Sequence, residues 1–349
     1  ASDTALMHLA GHDMFVFATA QAISVRDTPP ELPHGLDDDA SDSLTNGNTM
    51  AVLASLPASS PLFSGAVDGS GFTTTTFAGA VATRGRLLAV STSGVWQGGA
   101  ARAVVVLHVS ESGGTTRVGM VASVDASFGE SIAFARSSEA AADTGSVMFV
   151  ATPATCTPAL DDNNVESYTN PCTGATTSTP TIRAYSVDAD SPSVTLMQAV
   201  SLPPTAQPSA ALGASMSAAG NFVVIGDAEA ASGIGEVSVL SVTSTGIVPV
   251  CVVPGMLDGS GFGYSVAIAD AHEEGKTGIG SAGRNDGTAL VVAGAPGGNA
   301  AAIIRVNASN ESPCKIVASV RQSSLFRREG ETVPPLYGAG TAGAMGGGM

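Results

Sequence analysis

Short apolar runs alternate with glycine-rich turns along most of the chain. One run in each repeat is apolar at nearly every position and ends in small residues. A continuous apolar run of this length predicts a β-strand that is covered on both faces. Four runs have this character, at residues 87–90, 147–153, 222–226 and 290–296.

Two further apolar runs come after each of these. The first set is at residues 103–109, 181–187, 235–242 and 301–306, and the second at 117–124, 193–202, 247–253 and 315–320. With a short strand ahead of each covered run, every unit has four strands separated by tight turns. This organisation predicts an all-β fold and is typical of the blades of a β-propeller.

Composition agrees with an all-β chain. Hydrophobic residues make up 44% of the 349 residues, charged residues only 13%, and 42 residues are glycine. Several amphipathic helices would need more charge than this. The formal net charge of −16 disfavours a nucleic-acid partner and fits calcium or basic partners better. No apolar run is long enough to cross a bilayer.

The start of each unit recurs in the sequence. Phe262-Gly263-Tyr264-Ser265 matches Phe128-Gly129-Glu130-Ser131, and Leu212-Gly213 begins a weaker copy. The pentapeptide at 68–72 is identical to that at 258–262, which predicts another unit starting at Phe72.

These starts divide the chain into blades at about 61–125, 126–205, 206–255 and 256–320. Residues 1–60 lack a Phe-Gly start and predict a partial blade with strands at 14–18, 22–25 and 49–56. Residues 336–349 form a glycine-rich tail or the start of a further blade, so the chain could belong to a larger propeller.

The Phe262-Gly263 start and the Gly294-Ala295-Pro296 end resemble the FG-GAP repeat of the integrin α-subunit propeller. The resemblance is specific in this unit and extends at lower fidelity over about residues 10–320. It implies a degenerate FG-GAP propeller at the cell surface, with a role in adhesion, ligand display or assembly. Some relatives in this family are enzymes or carry enzymes beside the propeller.

The resemblance also implies calcium in blade loops. Asp270, Asn285 and Asp286 are the candidate ligands here, but residues 271–284 separate the first from the others. Ala289 stands where the closing carboxylate is expected. Calcium needs six to eight oxygen ligands, so this is a weak Ca²⁺ candidate. The acidic clusters at 37–42 and 161–166 are interpreted as solvated loops.

Cysteines and sequons favour secretion. Cys156 and Cys172 bracket a polar insertion and form the simpler disulfide pair, whereas Cys251 and Cys314 can pair only if the fold brings them together. Glycosylation sequons begin at Asn307 and Asn310. We therefore expect an extracellular or cell-surface protein.

Catalytic motifs are weak in this sequence. The G-x-G-x-x-G matches at 278–283 and 338–343 lack a βαβ context, and the repeat itself explains the elbow-like sequence around Ser265. His8 and His12 have the spacing of a metal pair on a helix. Carboxylates paired only in space stay open as a glycosidase site. The single tryptophan, Trp96, either anchors a partner or caps the edge of a blade.

Together these features predict a binding or structural module and not an enzyme. It would act in adhesion or assembly through the propeller loops, with protein or glycan partners or copies of itself. The alternative is a polysaccharide lyase or hydrolase with its site at the central channel. A third hypothesis is a scaffold within a larger protein.

Overall fold

The fold comes from a computed structural model. It describes residues 3–9, 12–27, 52–67, 70–110, 112–136, 145–154, 180–202, 206, 209–256, 259–270, 288–308, 310 and 312–321. These residues form β-strands joined by turns, with only short helical turns among them. No helix in these ranges is both long and apolar enough to span a membrane.

The strands form five antiparallel sheets, and within each sheet the strands are arranged in chain order. The first sheet contains β1 (Asp3–Leu9), β2 (His12–Ala18), β3 (Ala22–Asp27) and β4 (Val52–Pro57). The second contains β5 (Gly65–Val67), β6 (Ser70–Arg84), β7 (Leu87–Trp96), β8 (Gly99–Val109) and β9 (Thr115–Ser123). The third contains β10 (Ile132–Arg136), β11 (Ser146–Thr152), β12 (Thr181–Asp188) and β13 (Ser193–Ala199). The fourth contains β14 (Ser215–Ala219), β15 (Phe222–Asp227), β16 (Glu236–Thr243) and β17 (Gly246–Pro254). The fifth contains β18 (Ser265–Asp270), β19 (Thr288–Ala295), β20 (Ala300–Asn307) and β21 (Cys314–Arg321).

The prediction of an all-β chain with repeated four-stranded sheets is confirmed. The apolar runs at 147–153 and 222–226 form β11 and β15, and every residue of these two strands is buried. Such strands lack a polar alternation because neighbouring sheets cover both of their faces.

Successive sheets pack face to face. Four apolar clusters fill the spaces between the first and second, second and third, third and fourth, and fourth and fifth sheets. Burial of apolar surface between sheets is therefore the main stabilising term, since each sheet alone would leave one or both faces in water.

The inner strands of the sheets lie side by side. β1 packs against β6, β6 against β10, β10 against β14, and β14 against β18. Between the last pair, Ser215 Oγ accepts a hydrogen bond from the Val266 N–H at 2.9 Å, and Ser217 Oγ accepts one from the Ile268 N–H at 3.3 Å. Small hydroxyl residues thus satisfy backbone donors where the inner strands approach one another.

A β-bulge recurs in the outer strand of every sheet. One residue of the outer strand is skipped in its pairing with the preceding strand, at the same place in each sheet. The skipped residues are Leu53, Val118, Met197, Val250 and Val317. Bulges twist an outer strand and make its free edge a poorer template for another strand.

The sequence prediction of a partial blade in the N-terminal region is wrong. The first sheet is complete, because Asp3–Leu9 forms β1 and pairs with β2. This strand carries no Phe-Gly start, and its Leu, Met and His composition hides it from a repeat search. His8 lies in β1 and His12 begins β2, so the helical metal pair does not form.

The predicted unit start at Phe72 is also wrong. Phe72 lies within β6, opposite Trp96, whereas Phe262 precedes β18. Phe77 takes the starting position in the second sheet: it lies four residues before Val81, as Phe128 lies four residues before Ile132. The two identical pentapeptides have different C-terminal neighbours, Thr73 in one case and Gly263 in the other.

Glycine is required at the start of the later units. Gly129, Gly213 and Gly263 have φ values of +73°, +78° and +89°, a region that side chains disfavour. Each N–H donates a hydrogen bond to a carbonyl at the end of the second strand of a sheet, and these acceptors are Ala151, Gly226 and Gly294 at 2.9, 3.0 and 2.9 Å. The sequence repeat is therefore a repeated turn that fixes the first strand of a sheet against the second.

Candidate functional site

Two carboxylates lie side by side where β15 ends and β16 begins. Asp227 is the last residue of β15 and pairs in register with Glu236, the first residue of β16. Both are almost fully buried. The corresponding strand ends in the third and fifth sheets carry Thr152 and Ala295. The repeat therefore does not require a carboxylate here, and its presence is particular to the fourth sheet.

Asp227 accepts several hydrogen bonds from the turn before β14. The Ser209 N–H donates to Oδ2 at 2.6 Å, and the Ser209 hydroxyl donates to Oδ1. The Glu229 N–H also donates to Oδ1, at 3.3 Å. Burial raises the pKa of Asp227, and these hydrogen bonds lower it in part.

A third carboxylate, Glu229, is half-buried and lies two residues after Asp227. Burial raises its pKa, and the nearby charge of Asp227 raises it further. Its Oε1 atom is buried without a hydrogen-bond partner among the described residues. We call Asp227 and Glu229 the carboxylate pair. A carboxyl group with a raised pKa can donate or accept a proton nearer to neutral pH than an ordinary one.

The loop after the carboxylate pair has an unusual backbone. Ala231 and Ser232 have φ values of 50° and 62°, which place two non-glycine residues in the left-handed region. Such residues persist only where the surrounding structure holds them. Here the Gly261 N–H donates to Gly233 O at 3.0 Å, and the Phe262 N–H donates to Ile234 O at 3.1 Å. The turn that starts the fifth sheet therefore fixes this loop.

A second candidate surface lies on the fifth sheet. One face of this sheet packs on the fourth through Val291, Ala293 and Ile304. On the opposite face Leu290, Val292 and Val320 are 37%, 46% and 39% exposed, and Ala318 is exposed as well. We call this opposite side the free face. No other sheet of the described residues covers it.

The predicted calcium ligands are only partly described. Asp270 ends β18 and pairs with Ala289, which is fully buried at the position expected for the closing carboxylate. Asn285 and Asp286 lie outside the described residues. Within the described ranges no three His, Cys, Asp or Glu side chains come together as metal ligands. The calcium site stays a prediction.

One of the two disulfide candidates is formed. Cys251 in β17 and Cys314 in β21 are bonded, with their Cα atoms 6.2 Å apart. This bond joins the outer strands of the fourth and fifth sheets, which is the long-range proximity that sequence spacing alone could not supply. Cys156 and Cys172 lie outside the described residues.

Trp96 lies at the end of β7, before a hairpin turn at Gln97 and Gly98 in which both residues have positive φ. The indole is partly buried and packs against a cluster that includes Val67 and Phe72. Both interpretations of Trp96, partner anchor and edge cap, stay predictions.

The other candidates are dispersed. Asn307 ends β20, and Asn310 is exposed in the turn after it. Ser265 is exposed at the start of β18. Both G-x-G-x-x-G matches, at 278–283 and 338–343, and the tail at 336–349 lie outside the described residues. Sequence reasoning missed the carboxylate pair because the Ser209 groups that hydrogen-bond Asp227 come from 18 residues earlier in the chain.

No protein-family model matches the sequence, and no curated protein matches it. Among solved structures, the chain is similar to a mutant of the Synechocystis apocarotenoid oxygenase, with 8% identity and a TM-score of 0.47 over 91% of this chain and 60% of that one. It is also similar to the major allergen Mala s 1 of Malassezia sympodialis, with 12% identity and a TM-score of 0.42 over 89% of this chain and 76% of that one. The chain thus spans about 60% of the length of the oxygenase.

Proposed function

We propose that this chain is an extracellular binding and assembly module built as a β-propeller with degenerate FG-GAP repeats. The repeated Phe-Gly turn, the recurrent bulge and the side-by-side inner strands all support consecutive blades. The observation that carries the function is the free face, on which exposed Leu290, Val292 and Val320 share a side with exposed Arg305 and Lys315. Exposed apolar surface bordered by polar residues marks an interaction site.

Other features support an extracellular setting. The Cys251–Cys314 disulfide persists in an oxidising compartment. Of the two sequon asparagines, Asn307 ends β20 and Asn310 lies exposed in the turn after it, where glycosylation enzymes can reach it. Loop residues Met256 and Tyr264 are exposed as well, and they offer contacts for a protein or glycan partner.

The carboxylate pair supports one alternative, a polysaccharide lyase or hydrolase. Glu229 has a raised pKa and is accessible in part, as a general acid must be. Asp227, however, is buried and accepts a hydrogen bond from the Ser209 N–H. A structural role in fixing the Ser209 turn therefore accounts for this carboxylate without catalysis. We therefore favour the binding module.

The experiment that separates these functions presents the purified, oxidised chain to glycan and extracellular-protein arrays and to a panel of soluble polysaccharides. Binding is measured by surface plasmon resonance, and cleavage is measured by new reducing ends and by unsaturated uronate absorbance. We expect saturable binding without product release. Product release that Glu229→Gln abolishes and the exposed-site control Asp190→Asn preserves would overturn the proposal. Absence of any binding would also overturn it.

A further inference from the structure

The fourth sheet and its turns carry only acidic charge, and all of it lies at one end of β15 and β16. Residues 209–256 contain three charged side chains, Asp227, Glu229 and Glu236, which we call the carboxylate cluster. Asp227 and Glu236 stand directly opposite each other on neighbouring strands, and both are buried. Like charges in this arrangement destabilise a sheet, so the cluster is costly when it is fully ionised.

Asp227 connects the cluster to the third sheet. It lies on the same side of β15 as Ile225, which packs toward the third sheet. Its carboxylate accepts hydrogen bonds from Ser209, and the next residue, Ala210, accepts one from the Ala154 N–H at 2.9 Å. Since Ala154 follows β11, the turn that Asp227 holds is also bonded to the third sheet.

The loop at 228–235 connects the cluster to the fifth sheet. The Glu229 N–H donates to Asp227, which anchors the start of this loop. Besides the two backbone hydrogen bonds described above, the Ser260 hydroxyl donates to Ile234 O at 2.9 Å. The cluster therefore lies at a joint of three sheets, beside a loop on which the start of the fifth sheet depends.

The strands packed on β15 bring few other charges near the cluster. β14 and β19 contain no charged residue, and β16 contains Glu236 alone. Arg136 of β10 lies at the opposite end of β15, where its N–H donates to Gly220 O at 2.7 Å. Asp270 ends β18 at that opposite end as well, because β18 runs alongside β14 from Ser215 onward.

The turn before β18 adds two titratable residues and no basic one. Tyr264 is exposed, and Asp258 lies outside the described residues. Residues 184–271 contain no Lys, Arg or His. Burial and the hydrogen bonds from Ser209 and the loop therefore set the pKa of Asp227, and burial and the charge of Asp227 set the pKa of Glu229.

We propose that the carboxylate cluster is a proton-dependent lock on the joint between the fourth and fifth sheets. While the cluster holds protons, the loop at 228–235 stays closed and keeps its hydrogen bonds to residues 260–262. When the cluster ionises, repulsion between neighbouring carboxylates favours an open loop and releases these bonds. Met256 and Tyr264 flank this segment and are exposed, so the lock sets how both are presented to a partner.

The direction of the pH response follows from the raised pKa values of Asp227 and Glu229 in the closed loop. Each protonated carboxyl stabilises the closed state below its ordinary pKa, 3.8 for Asp227 and 4.5 for Glu229. That contribution is lost as pH rises through the raised, closed-state pKa. The joint is therefore tight in acid and loosens toward neutral pH.

Amide hydrogen exchange of the full chain with the Cys251–Cys314 bond intact tests the lock in the absence of any partner. Protection factors, corrected for the intrinsic effect of pH on exchange, are compared for peptides 255–263 and 125–131. The second peptide is the matched control, since its turn docks on a strand end that carries Thr152 where the fourth sheet has Asp227. Between about pH 4 and pH 7.5 we expect protection of 255–263 to fall by more than about threefold relative to 125–131.

Variants identify the groups that respond. Glu229→Gln and Glu236→Gln each remove one ionisable group with little change of shape, so each should reduce the loss of protection, and the double variant should reduce it most. Asp190→Asn, at an exposed turn residue, should keep the wild-type response. Circular dichroism checks folding at each pH. Glu229 is only half-buried, so Glu229→Gln keeps the test available if Glu236→Gln is unstable.

Three results would overturn the inference: protection of 255–263 that does not change with pH relative to 125–131, protection that rises with pH, or a response that Glu229→Gln and the double variant retain in full. An equal fall in both peptides would mean global unfolding and would overturn it as well. The array experiment is independent of these outcomes, so the proposed binding function is tested separately.

Discussion

Gly226 and Gly263 approach so closely that a Cβ atom on Gly226 would lie 1.9 Å from the Gly263 carbonyl oxygen. Gly226 is near the end of β15, and Gly263 starts the fifth sheet. Two backbones from neighbouring sheets therefore touch where the Phe-Gly turn of one sheet meets the second strand of the other. The obstacle to a side chain at Gly226 is main chain, which cannot rotate away.

We therefore expect Gly226→Ala to destabilise the protein by about 2–3 kcal/mol, as overpacking of a rigid site does. Chemical denaturation with the Cys251–Cys314 bond intact measures the free energy of unfolding. Gly71→Ala is the control, because a Cβ there meets nothing within 4 Å and the residue lies in a strand. Equal stability of the two variants would refute the close approach.

The raised pKa of Glu229 predicts a pH dependence. A carboxyl group whose pKa is higher in the folded than in the unfolded state stabilises the fold below its unfolded value, near 4.5, and loses that contribution as pH rises through the folded pKa. Glu229→Gln cannot ionise. Its stability relative to wild type should therefore be lowest in acid and should rise as pH passes above about 4.5.

The gain from Glu229→Gln at neutral pH should stay below about 1 kcal/mol, because solvent screens a half-exposed group. Thermal melts between pH 3.5 and 7.5 measure it. Asp190→Asn, at an exposed turn residue, should show no such trend. A gain that is the same at every pH would contradict the raised pKa.

The Cys251–Cys314 bond predicts a loss of stability when it is removed. The bonded residues are 63 positions apart, so the bond restricts a large loop in the unfolded chain. The Cys251→Ser, Cys314→Ser double variant should lose about 2–4 kcal/mol of unfolding free energy. Cys156→Ser with Cys172→Ser is the matched double variant. Unchanged stability after loss of the 251–314 bond would show that it does not constrain the chain.

Strands that are buried on both faces can be predicted from the sequence, whereas the turns that start each sheet are harder to predict. β11 and β15 were predictable because burial on both faces leaves their central positions apolar, from 147 to 151 and from 222 to 225. The pentapeptide ending at Phe72 misled the repeat search, since it is identical to residues 258–262 but lies within β6 instead of before the first strand of a sheet. β1 was missed because it lacks that turn altogether.

The candidate surfaces depend on contacts that spacing cannot reveal. Asp227 and Glu229 are close in sequence, but their pKa values rise because burial disfavours the ionised carboxylates and, for Glu229, because the charge of Asp227 lies nearby. In the sequence, the free face resembles any other apolar strand face. Only the arrangement of the sheets distinguishes Val292, which is exposed, from Val224, which is buried.

Trp96 offers the last test, because its two interpretations predict opposite results. If Trp96 is an edge cap over Val67 and Phe72, Trp96→Ala should lower the free energy of unfolding by about 2–3 kcal/mol. This loss is somewhat smaller than that for a fully buried aromatic residue. Trp96→Phe should retain most of that stability, since the indole Nε1 is buried without a hydrogen-bond partner among the described residues. Urea denaturation monitored by circular dichroism measures both variants. A Trp96→Ala protein with wild-type stability but weakened binding on the arrays would instead make this residue a partner anchor.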